Sequence, residues 1–343
     1  MRFGQLEIDP AVNPAVLDTV TWDADRARRL LSTLEKPYWQ AVRRAVLEGG
    51  VLPHHRECTV YRGSWAQYGA SACSLARLAD GQHVFIEIGP GAGRGANLLH
   101  TLPVGDDMQV KVCAADAVTT RDWVRAVRPD KAPRALGAVP RLGIGTRMST
   151  SVWPGIWRAM DAGKFAANAI QNSVRELNLL DDVLAGRPAR TNYLYGFGTL
   201  AEGHTGSTFE GLWLAGVIEA LKADSLPVYG ADADHITVRR EPGGLERAKR
   251  IIDAARDYTF FTLDVSDIVE YAATGADRHA HKYAQALDVV AELSAYLRGL
   301  KEGTPFDLEL SIDECPPRLD AATCLTSPAE LLFLIERLRR REV

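Results

Sequence analysis

Short runs of β-branched and aromatic residues alternate with longer amphipathic segments along most of this chain. The short runs predict strands at Cys58–Tyr61, Val84–Ile88, Gln109–Ala114, Asn192–Gly196, Pro227–Gly230, Tyr258–Leu263 and Phe306–Ile312. The amphipathic segments predict helices at Asp23–Glu48, Gly163–Leu184, Thr208–Ala223, Gly244–Arg256, His281–Gly299 and Ser327–Arg341. This succession favours an α/β fold with a parallel sheet, which is either a closed barrel or a doubly wound open sheet.

Composition narrows the classes of protein to which the chain can belong. It has 343 residues, of which 46% are apolar, and a formal net charge of -4, which repels rather than attracts a polyphosphate backbone. The five cysteines form no CxxC pair, so they indicate neither a structural zinc cluster nor a disulfide framework. No apolar run reaches the length of about 18 residues that a membrane helix needs. We therefore expect a cytoplasmic protein whose partner is a small molecule rather than nucleic acid or a membrane. A homo-oligomer is compatible with these observations.

The most conspicuous motif is rich in glycine and follows the predicted strand at Val84–Ile88. The string Gly89-Pro90-Gly91-Ala92-Gly93 resembles the first motif of Rossmann-like methyltransferases, whose glycines let the backbone approach S-adenosylmethionine. Asp116, after the next predicted strand, could serve as the ribose ligand. The alternative, which we prefer, is a structural turn that joins a strand to a helix.

Three predicted strands each end in acidic or histidine side chains. These side chains are Asp232, Asp234 and His235, then Asp264 and Asp267, then Glu309, Asp313 and Glu314. The carboxyl ends of parallel strands are where barrel and open-sheet enzymes place their chemistry. Carboxylates and imidazole suit either a divalent metal ion or general acid-base catalysis. The sequence therefore predicts an active site at these strand ends, although the second group is equally consistent with a capped helix start.

Alternation along the predicted strand at Phe306–Ile312 supports the same site. It places Glu309, Ser311 and Asp313 on one face and the leucines on the other. An acidic inward face is costly unless it binds a positive group or takes part in catalysis.

Several strings, in order, resemble the tagaturonate epimerase family. The most specific is Gly230-Ala231-Asp232-Ala233-Asp234-His235, which is similar to the family's GADADHL block. Upstream, Gly143–Arg147 resembles GFGDR and Gln171–Leu177 resembles QQSIREL. Downstream, Phe306–Glu314 is similar to FDFEISVDE and Thr326–Pro328 to TSP.

The resemblance implies a fold, an activity and a cofactor. The family interconverts tagaturonate and fructuronate on a metal-dependent (β/α) barrel. We therefore expect a (β/α)8 TIM-like barrel, incomplete or decorated, over residues 51–343, after a helical segment at residues 1–50. The expected protein is a carbohydrate epimerase or isomerase that acts on a ketouronate, ketohexose or ketose phosphate. Its expected cofactor is a divalent metal ion such as Zn, Mn, Ni or Mg.

The same strings imply roles for individual residues. The expected catalytic residues are Asp234, His235 and Glu309. The expected substrate-binding residues are Arg147, Arg175, Gln171, Asp313 and Glu314. The expected metal ligands are Asp232, Asp234, His235 and Glu309. The reaction would use acid-base or retro-aldol chemistry beside a polarised ketone.

The chain departs from the family strings at four polar positions. Thr146 replaces an aspartate, Ile156 a histidine, Thr237 a lysine and Leu331 a histidine. The chain also stops soon after the TSP string, where the relatives continue. These departures predict an altered substrate, and they leave open a catalytically inactive family member that serves as a binding or regulatory protein.

Overall fold

Two large β-sheets of opposite character form the protein. The computed structural model describes residues 23–90, 97–146, 150–187, 200–316 and 318–343, and the backbone of residues 2–3, 6–7, 192–195 and 198–199. Within these residues, the N-terminal third of the chain, up to Ala114, builds an antiparallel sheet, and the remainder builds a parallel one.

The antiparallel sheet consists of strands that follow one another closely in the chain. The strands of the N-terminal third are β1 (Arg2–Phe3), β2 (Leu6–Glu7), β3 (Cys58–Val60), β4 (Ala66–Tyr68), β5 (Ser71–Leu78), β6 (His83–Gly89), β7 (Leu98–Gly105) and β8 (Met108–Ala114). The strand order is β3-β5-β6-β8-β7, and β4 also pairs with β5. Strands β1 and β2 form a separate antiparallel pair.

Both faces of the antiparallel sheet are covered because its strands are apolar on both sides. Val84 and Ile86 of β6 pack into a core with the two N-terminal helices, α1 (Ala24–Leu31) and α2 (Lys36–Glu48). Phe85, which points to the opposite face, stacks on Trp123 with ring centroids 4.4 Å apart. The second face therefore joins the core formed by the rest of the chain, after Ala114.

The parallel sheet has five strands in the same order as the chain. The remaining strands are β9 (Arg141–Gly145), β10 (Ala166–Ser173), β11 (Asn192–Tyr195), β12 (Gly198–Ala201), β13 (Tyr229–Thr237), β14 (Phe260–Asp264) and β15 (Asp307–Ser311). The sheet order is β9-β10-β13-β14-β15, while β11 and β12 form a separate antiparallel pair. Right-handed crossovers between strands in this order place the connecting helices on one face of the sheet.

The sequence explains locally where helices after Ala114 begin. They are α3 (Ala117–Val127), α4 (Trp153–Gly163), α5 (Leu180–Leu184), α6 (Phe209–Lys222), α7 (Gly244–Ala254), α8 (Arg278–Lys301) and α9 (Pro328–Arg340). Thr208 caps α6, and a capping box of Ser327 and Glu330 starts α9, where a hydroxyl residue before a proline predicts a helix start. Helix α6 is buried on nearly all sides because it packs in the shared core.

The prediction of a (β/α)8 TIM-like barrel is wrong. In the described part of the chain, no ladder joins β9 to β15, and residues 58–114 form antiparallel pairs instead of β–α units. Strand propensity and alternation do not record the direction of a strand. Strands linked by a short turn, such as that between β7 and β8, fold back on each other because a parallel pair needs a long crossover.

The five-stranded sheet is nevertheless strongly curled. Arg141, the first residue of β9, forms an ion pair of 2.5 Å with Asp307, the first residue of β15. The same guanidinium lies over the ring of Phe260, 5.1 Å from its centroid. Strands four positions apart would be separated by about 19 Å in a flat sheet. The two edges of the sheet therefore approach each other at its amino-terminal end, across the face that the helices leave uncovered.

Three predicted segments need correction. The helix expected at Gly163–Leu184 is instead β10 followed by the short helix α5. The helix expected at Asp23–Glu48 is broken into α1 and α2. The strand expected at Pro227–Gly230 is β13, which begins at Tyr229 and continues to Thr237, so the acidic cluster lies inside a strand and not after one.

None of the helices in the described ranges is both long and apolar enough to cross a membrane.

Candidate functional site

One face of the parallel sheet is polar along its length. The β10–β13 register pairs Asn168 with Gly230 and Gln171 with Asp232, and the β13–β14 register pairs Asp232 with Phe260. Paired residues of neighbouring strands point to the same side, whereas the residues between them, such as Ala231, point into the helical core. The polar side chains of three strands therefore share the concave face.

Strand β13 carries an irregularity at His235. The register with β14 shifts between Ala233 and Ile236, which marks a β-bulge. His235 has a φ of 60°, in the left-handed region that a histidine rarely adopts. A bulge re-aims side chains and is common beside functional sites. It turns His235 toward the polar face, where its ring meets Asp234 and Glu314.

Asp234 and His235 form a charged pair. Their Oδ1 and Nδ1 atoms are 2.7 Å apart. This hydrogen bond raises the pKa of His235 to about 9 against the opposing effect of burial. Burial raises the pKa of Asp234, but the hydrogen bonds of His235 and Gln171 outweigh it and hold the value below the ordinary one. At neutral pH the pair is therefore an imidazolium beside a carboxylate.

Glu314 and Arg175 continue the pair toward solvent. Arg175 Nη2 donates to Glu314 Oε1 at 2.9 Å, and the same carboxylate oxygen lies 3.8 Å from His235 Nε2. Both side chains are partly exposed. The structure thus brings together four of the predicted site residues, two positive and two negative, at the carboxyl end of the sheet.

Asp232 differs from Asp234 although both belong to one strand and one face. It is only 4% exposed. Burial, together with the negative charge of Asp234, raises the pKa of Asp232 to about 8, against a hydrogen bond from Asn168. Its Oδ1 atom has no hydrogen-bond partner among the described residues. Asp232 is therefore protonated at neutral pH and presents an unused polar atom to the concave face.

Two glycines make room for the amides beside Asp232. A Cβ atom on Gly230 would lie 2.4 Å from Asn168 Oδ1, and one on Gly143 would lie 2.6 Å from Gln171 Oε1. The amide side chains lie flat over these glycines because no other residue type leaves the space. Neither Asn168 Oδ1 nor Gln171 Oε1 has a partner in the described part of the chain.

The acidic strand β15 lies beside this cluster. Thr262 of β14 donates to Glu309 Oε2 at 3.2 Å, and Ser311 donates to Asp313 Oδ1 at 2.6 Å. Glu309 and Asp313 are exposed. The negative charge of Glu309 contributes to the raised pKa of Asp232, so it faces the same space.

Two other predicted carboxylates have structural partners. Asp264 accepts from the backbone N–H of Ser266 at 3.0 Å and from the hydroxyl of Thr237 at 3.0 Å. Asp267 accepts from the backbone N–H of Arg240 at 2.8 Å and from Arg318. The second of the three groups therefore turns the chain after β14.

The surroundings of the glycine-rich motif differ from those of a methyltransferase motif. Strand β6 pairs antiparallel with both of its neighbours, and the next described element is the strand β7 instead of a helix. Asp116 caps α3 by accepting from Thr119 N at 2.7 Å. This arrangement does not support the methyltransferase interpretation. Arg147 and most of the glycine loop lie outside the described residues.

The described side chains do not by themselves form a metal site of the kind that the resemblance implies. In the ranges that the structure describes, no group of three or more His, Cys, Asp or Glu residues could hold an ion. His235 Nδ1 is occupied by Asp234, and Glu309 is bound to Thr262 on another strand. A divalent metal ion therefore stays a prediction from the sequence.

Sequence reasoning missed Asn168 and Thr262. Asn168 binds Asp232 and Thr262 binds Glu309, and both side chains are buried. The signal for Asn168 was present as polar residues in an otherwise apolar run, but that run was predicted to be helical.

Comparisons with known proteins place the fold. No family model matches the chain, and no curated protein matches it. The structure is similar to the glycerol-bound crystal structure of the fructuronate-tagaturonate epimerase UxaE from Cohnella laeviribosi, with a TM-score of 0.53 and 18% sequence identity. The match covers 83% of this chain and 57% of that one, so this chain spans less than two thirds of the epimerase. At this identity the likeness is a structural relation and does not show membership of the epimerase family.

Proposed function

We propose that this protein is an epimerase or isomerase of a ketose-type sugar. The observation that carries the proposal is the pair of aspartates on β13, of which Asp232 is held protonated and Asp234 ionised beside His235. Two carboxyl groups whose environments push their pKa values apart are typical of acid-base catalysis. The fold's likeness to a fructuronate-tagaturonate epimerase supports the same reaction class.

In the proposed reaction, a proton moves at a carbon next to a ketone. Asp232 and the His235 imidazolium donate hydrogen bonds to the ketone oxygen, on which negative charge develops. A carboxylate of the same face takes the neighbouring proton, and Glu309 has the exposure and position for this role. The electron pair of the broken C–H bond moves onto the oxygen as an enediolate. Return of a proton to the opposite side of the carbon gives the epimer.

The carboxyl end of the face would bind the polar end of the substrate. Arg175 is partly exposed and now binds Glu314 at 2.9 Å. A substrate carboxylate or phosphate can replace Glu314 in this contact, because a guanidinium binds both groups in bidentate fashion. Gln171, which hydrogen-bonds Asp234, would bind a hydroxyl group.

The test is exchange of substrate hydrogen with solvent. The purified protein is incubated in deuterated water with a panel of ketouronates, ketohexoses and ketose phosphates, with a divalent metal ion in one arm and a chelator in the other. We expect deuterium at one carbon of one substrate class, detected by NMR, and formation of its epimer. Asp232→Asn and His235→Gln should each reduce the rate by about 10²-fold or more, whereas Asp288→Asn, an exposed carboxylate on α8, should not. Absence of exchange and of epimer in every arm overturns the proposal.

A further inference from the structure

Two cysteines lie in contact immediately beyond the candidate site. The thiol of Cys324 donates to Cys315 Sγ, and the two sulfur atoms are 3.1 Å apart. A disulfide bond has an S–S length of about 2.05 Å, so a movement of about 1 Å would join them. The two residues are nine positions apart in the chain, on either side of the turn between β15 and α9.

The turn itself holds the two sulfurs together. Cys315 Sγ also contacts the carbonyl oxygen of Leu319, at 3.5 Å, so the chain curves back over the thiol. Asp320 then caps a short 3-10 helix at Ala321–Cys324, which places Cys324 opposite Cys315. The contact of Cys315 with Leu319 and the cap of Asp320 therefore hold the two thiols side by side before any covalent bond forms.

The other three cysteines differ in their surroundings. Cys58, Cys73 and Cys113 are each at most 3% exposed and lie in strands of the antiparallel sheet. Cys315 is partly exposed and Cys324 is 7% exposed. Access to a reagent in solution therefore distinguishes Cys315 from its partner and from the remaining cysteines.

We propose that Cys315 and Cys324 are a redox-active dithiol, a modification site that closes to an intramolecular disulfide when the protein meets a low-molecular-weight disulfide. This proposal does not depend on the proposed function. It assigns different roles to the two thiols: Cys315 attacks the disulfide in solution, and Cys324 resolves the intermediate.

The chemistry is thiol–disulfide exchange in two steps. The Cys315 thiolate attacks one sulfur of the small disulfide, forms a mixed disulfide and releases one small thiolate. The Cys324 thiolate then attacks Cys315 Sγ and releases the second small thiolate, which takes up a proton. The two protein thiols are oxidised, and the small disulfide is reduced to two thiols.

Closure would act on the site because Glu314 precedes Cys315 in the chain. Glu314 Oε1 is bound by Arg175 at 2.9 Å. Movement of Cys315 toward Cys324 shifts the backbone that carries this carboxylate. The oxidation state of the pair is thus linked to the charged residues at the carboxyl end of the sheet.

The first experiment separates the two roles. The full chain is treated with oxidised glutathione at about pH 9, because the contact with Cys324 raises the pKa of Cys315 above its ordinary value, and its mass is measured with and without reduction. We expect the wild type to lose the mass of two hydrogen atoms and a peptide map to join Cys315 to Cys324. Cys324→Ser should accumulate one glutathione on Cys315, whereas Cys315→Ser should remain mostly unmodified. A wild type that keeps both thiols open to alkylation after this treatment overturns the proposal.

The second experiment detects closure without any assay of activity. Closing a short loop stabilises the folded chain through the unfolded state, so we expect oxidation to raise the unfolding midpoint by roughly 2 to 5 °C. The rise should disappear on reduction and in the double variant Cys315→Ser, Cys324→Ser. Cys73→Ser is the matched control and should retain it. A rise that persists in the double variant, or a disulfide that joins any other pair of cysteines, contradicts the assignment.

Discussion

Asn168 donates a hydrogen bond of 3.1 Å from its Nδ2 atom to Oδ2 of Asp232, across the junction of β10 and β13. Together with the positive charge of His235, it opposes the effect of burial on Asp232, because a donated hydrogen bond favours the ionised carboxylate. The two side chains therefore set the protonation state at the centre of the polar face.

Replacement of Asn168 tests this relationship. In Asn168→Ala the donor is lost, so the pKa of Asp232 should rise above its value of about 8. The measurement is a carbon-13 NMR titration of the carboxyl groups, with Asp232→Asn to assign the resonance. A pKa that falls or stays constant in Asn168→Ala would show that the hydrogen bond does not act on the ionised form.

Gly230 is the position at which a single methyl group should disturb the site. The new Cβ of Gly230→Ala would lie 2.4 Å from Asn168 Oδ1, so the amide must move away from Asp232. We expect a loss of at least about 10-fold in sugar turnover or exchange, because small displacements at a reacting centre are costly.

Gly155→Ala is the matched control for this substitution. Its Cβ would meet nothing within 4 Å, and the residue lies in α4. The variant should keep full activity and gain up to about 1 kcal/mol in the free energy of unfolding, because alanine favours helix. Equal effects of the two variants would refute the steric argument at Gly230.

Glu330 should stabilise the protein in a defined range of pH. Burial raises the pKa of Glu330, but Lys282 Nζ, at 2.6 Å, and the cap of Ser327 outweigh it and lower the value to about 2 from an ordinary 4.5. Its stabilisation is therefore complete above about pH 4.5 and is lost as the pH falls toward 2.

The corresponding variant is Glu330→Gln. It should unfold with a free energy lower by about 1 to 2 kcal/mol at neutral pH, and the difference from wild type should shrink below pH 4.5. Denaturant titrations at several pH values measure it. Glu336→Gln, an exposed position of the same helix, should change stability by less than about 0.5 kcal/mol.

Lys301 should affect stability in an alkaline range of pH, with the same sign of pH dependence as Glu330. Its ammonium group is buried and donates to the carbonyl oxygens of Arg256 and Tyr258 at 2.9 and 2.6 Å. Burial lowers its pKa to about 8 from 10.5, so the unfolded chain binds more protons between these values. Stability from this group therefore rises as the pH increases from about 8 to 10.5.

Lys301→Met tests the sign. Relative to wild type, the variant should lose about 1 to 3 kcal/mol in unfolding free energy as the pH is raised through this range. Thermal or denaturant unfolding at pH 7 and pH 10 gives the comparison. A difference between the two proteins that is independent of pH would mean that Lys301 is not desolvated.

Several elements follow from local sequence. The helices predicted to begin at Thr208 and Ser327 and the alternation predicted for Leu308, Glu309 and Leu310 are observed, because caps and strand periodicity involve residues close in the chain. The segment at Ala166–Ser173 was predicted wrongly as helix, since its small apolar and amide residues are compatible with either structure.

The acidic and histidine residues at the ends of the parallel strands were recognisable from the sequence, but their protonation states and hydrogen-bond partners were not. Asp232, Asp234 and Asp264 have the same side chain and lie near one another in the fold, yet one is protonated, one is paired with His235 and one caps a turn. The difference comes from burial and from partners on neighbouring strands. These contacts are set by sheet register, which local sequence does not specify.

Local sequence was sufficient to predict where α6 and α9 begin, which face of β15 is apolar, and which polar side chains are available for chemistry. Only the tertiary structure shows that the strands up to Ala114 pair antiparallel, that the parallel sheet curls until Arg141 contacts Asp307, and that the thiols of Cys315 and Cys324 are in contact. Caps and periodicity depend on free energies of a few neighbouring residues. Strand direction, curvature and pKa values depend on residues brought together over the whole chain, whose contributions become available only when the chain is folded.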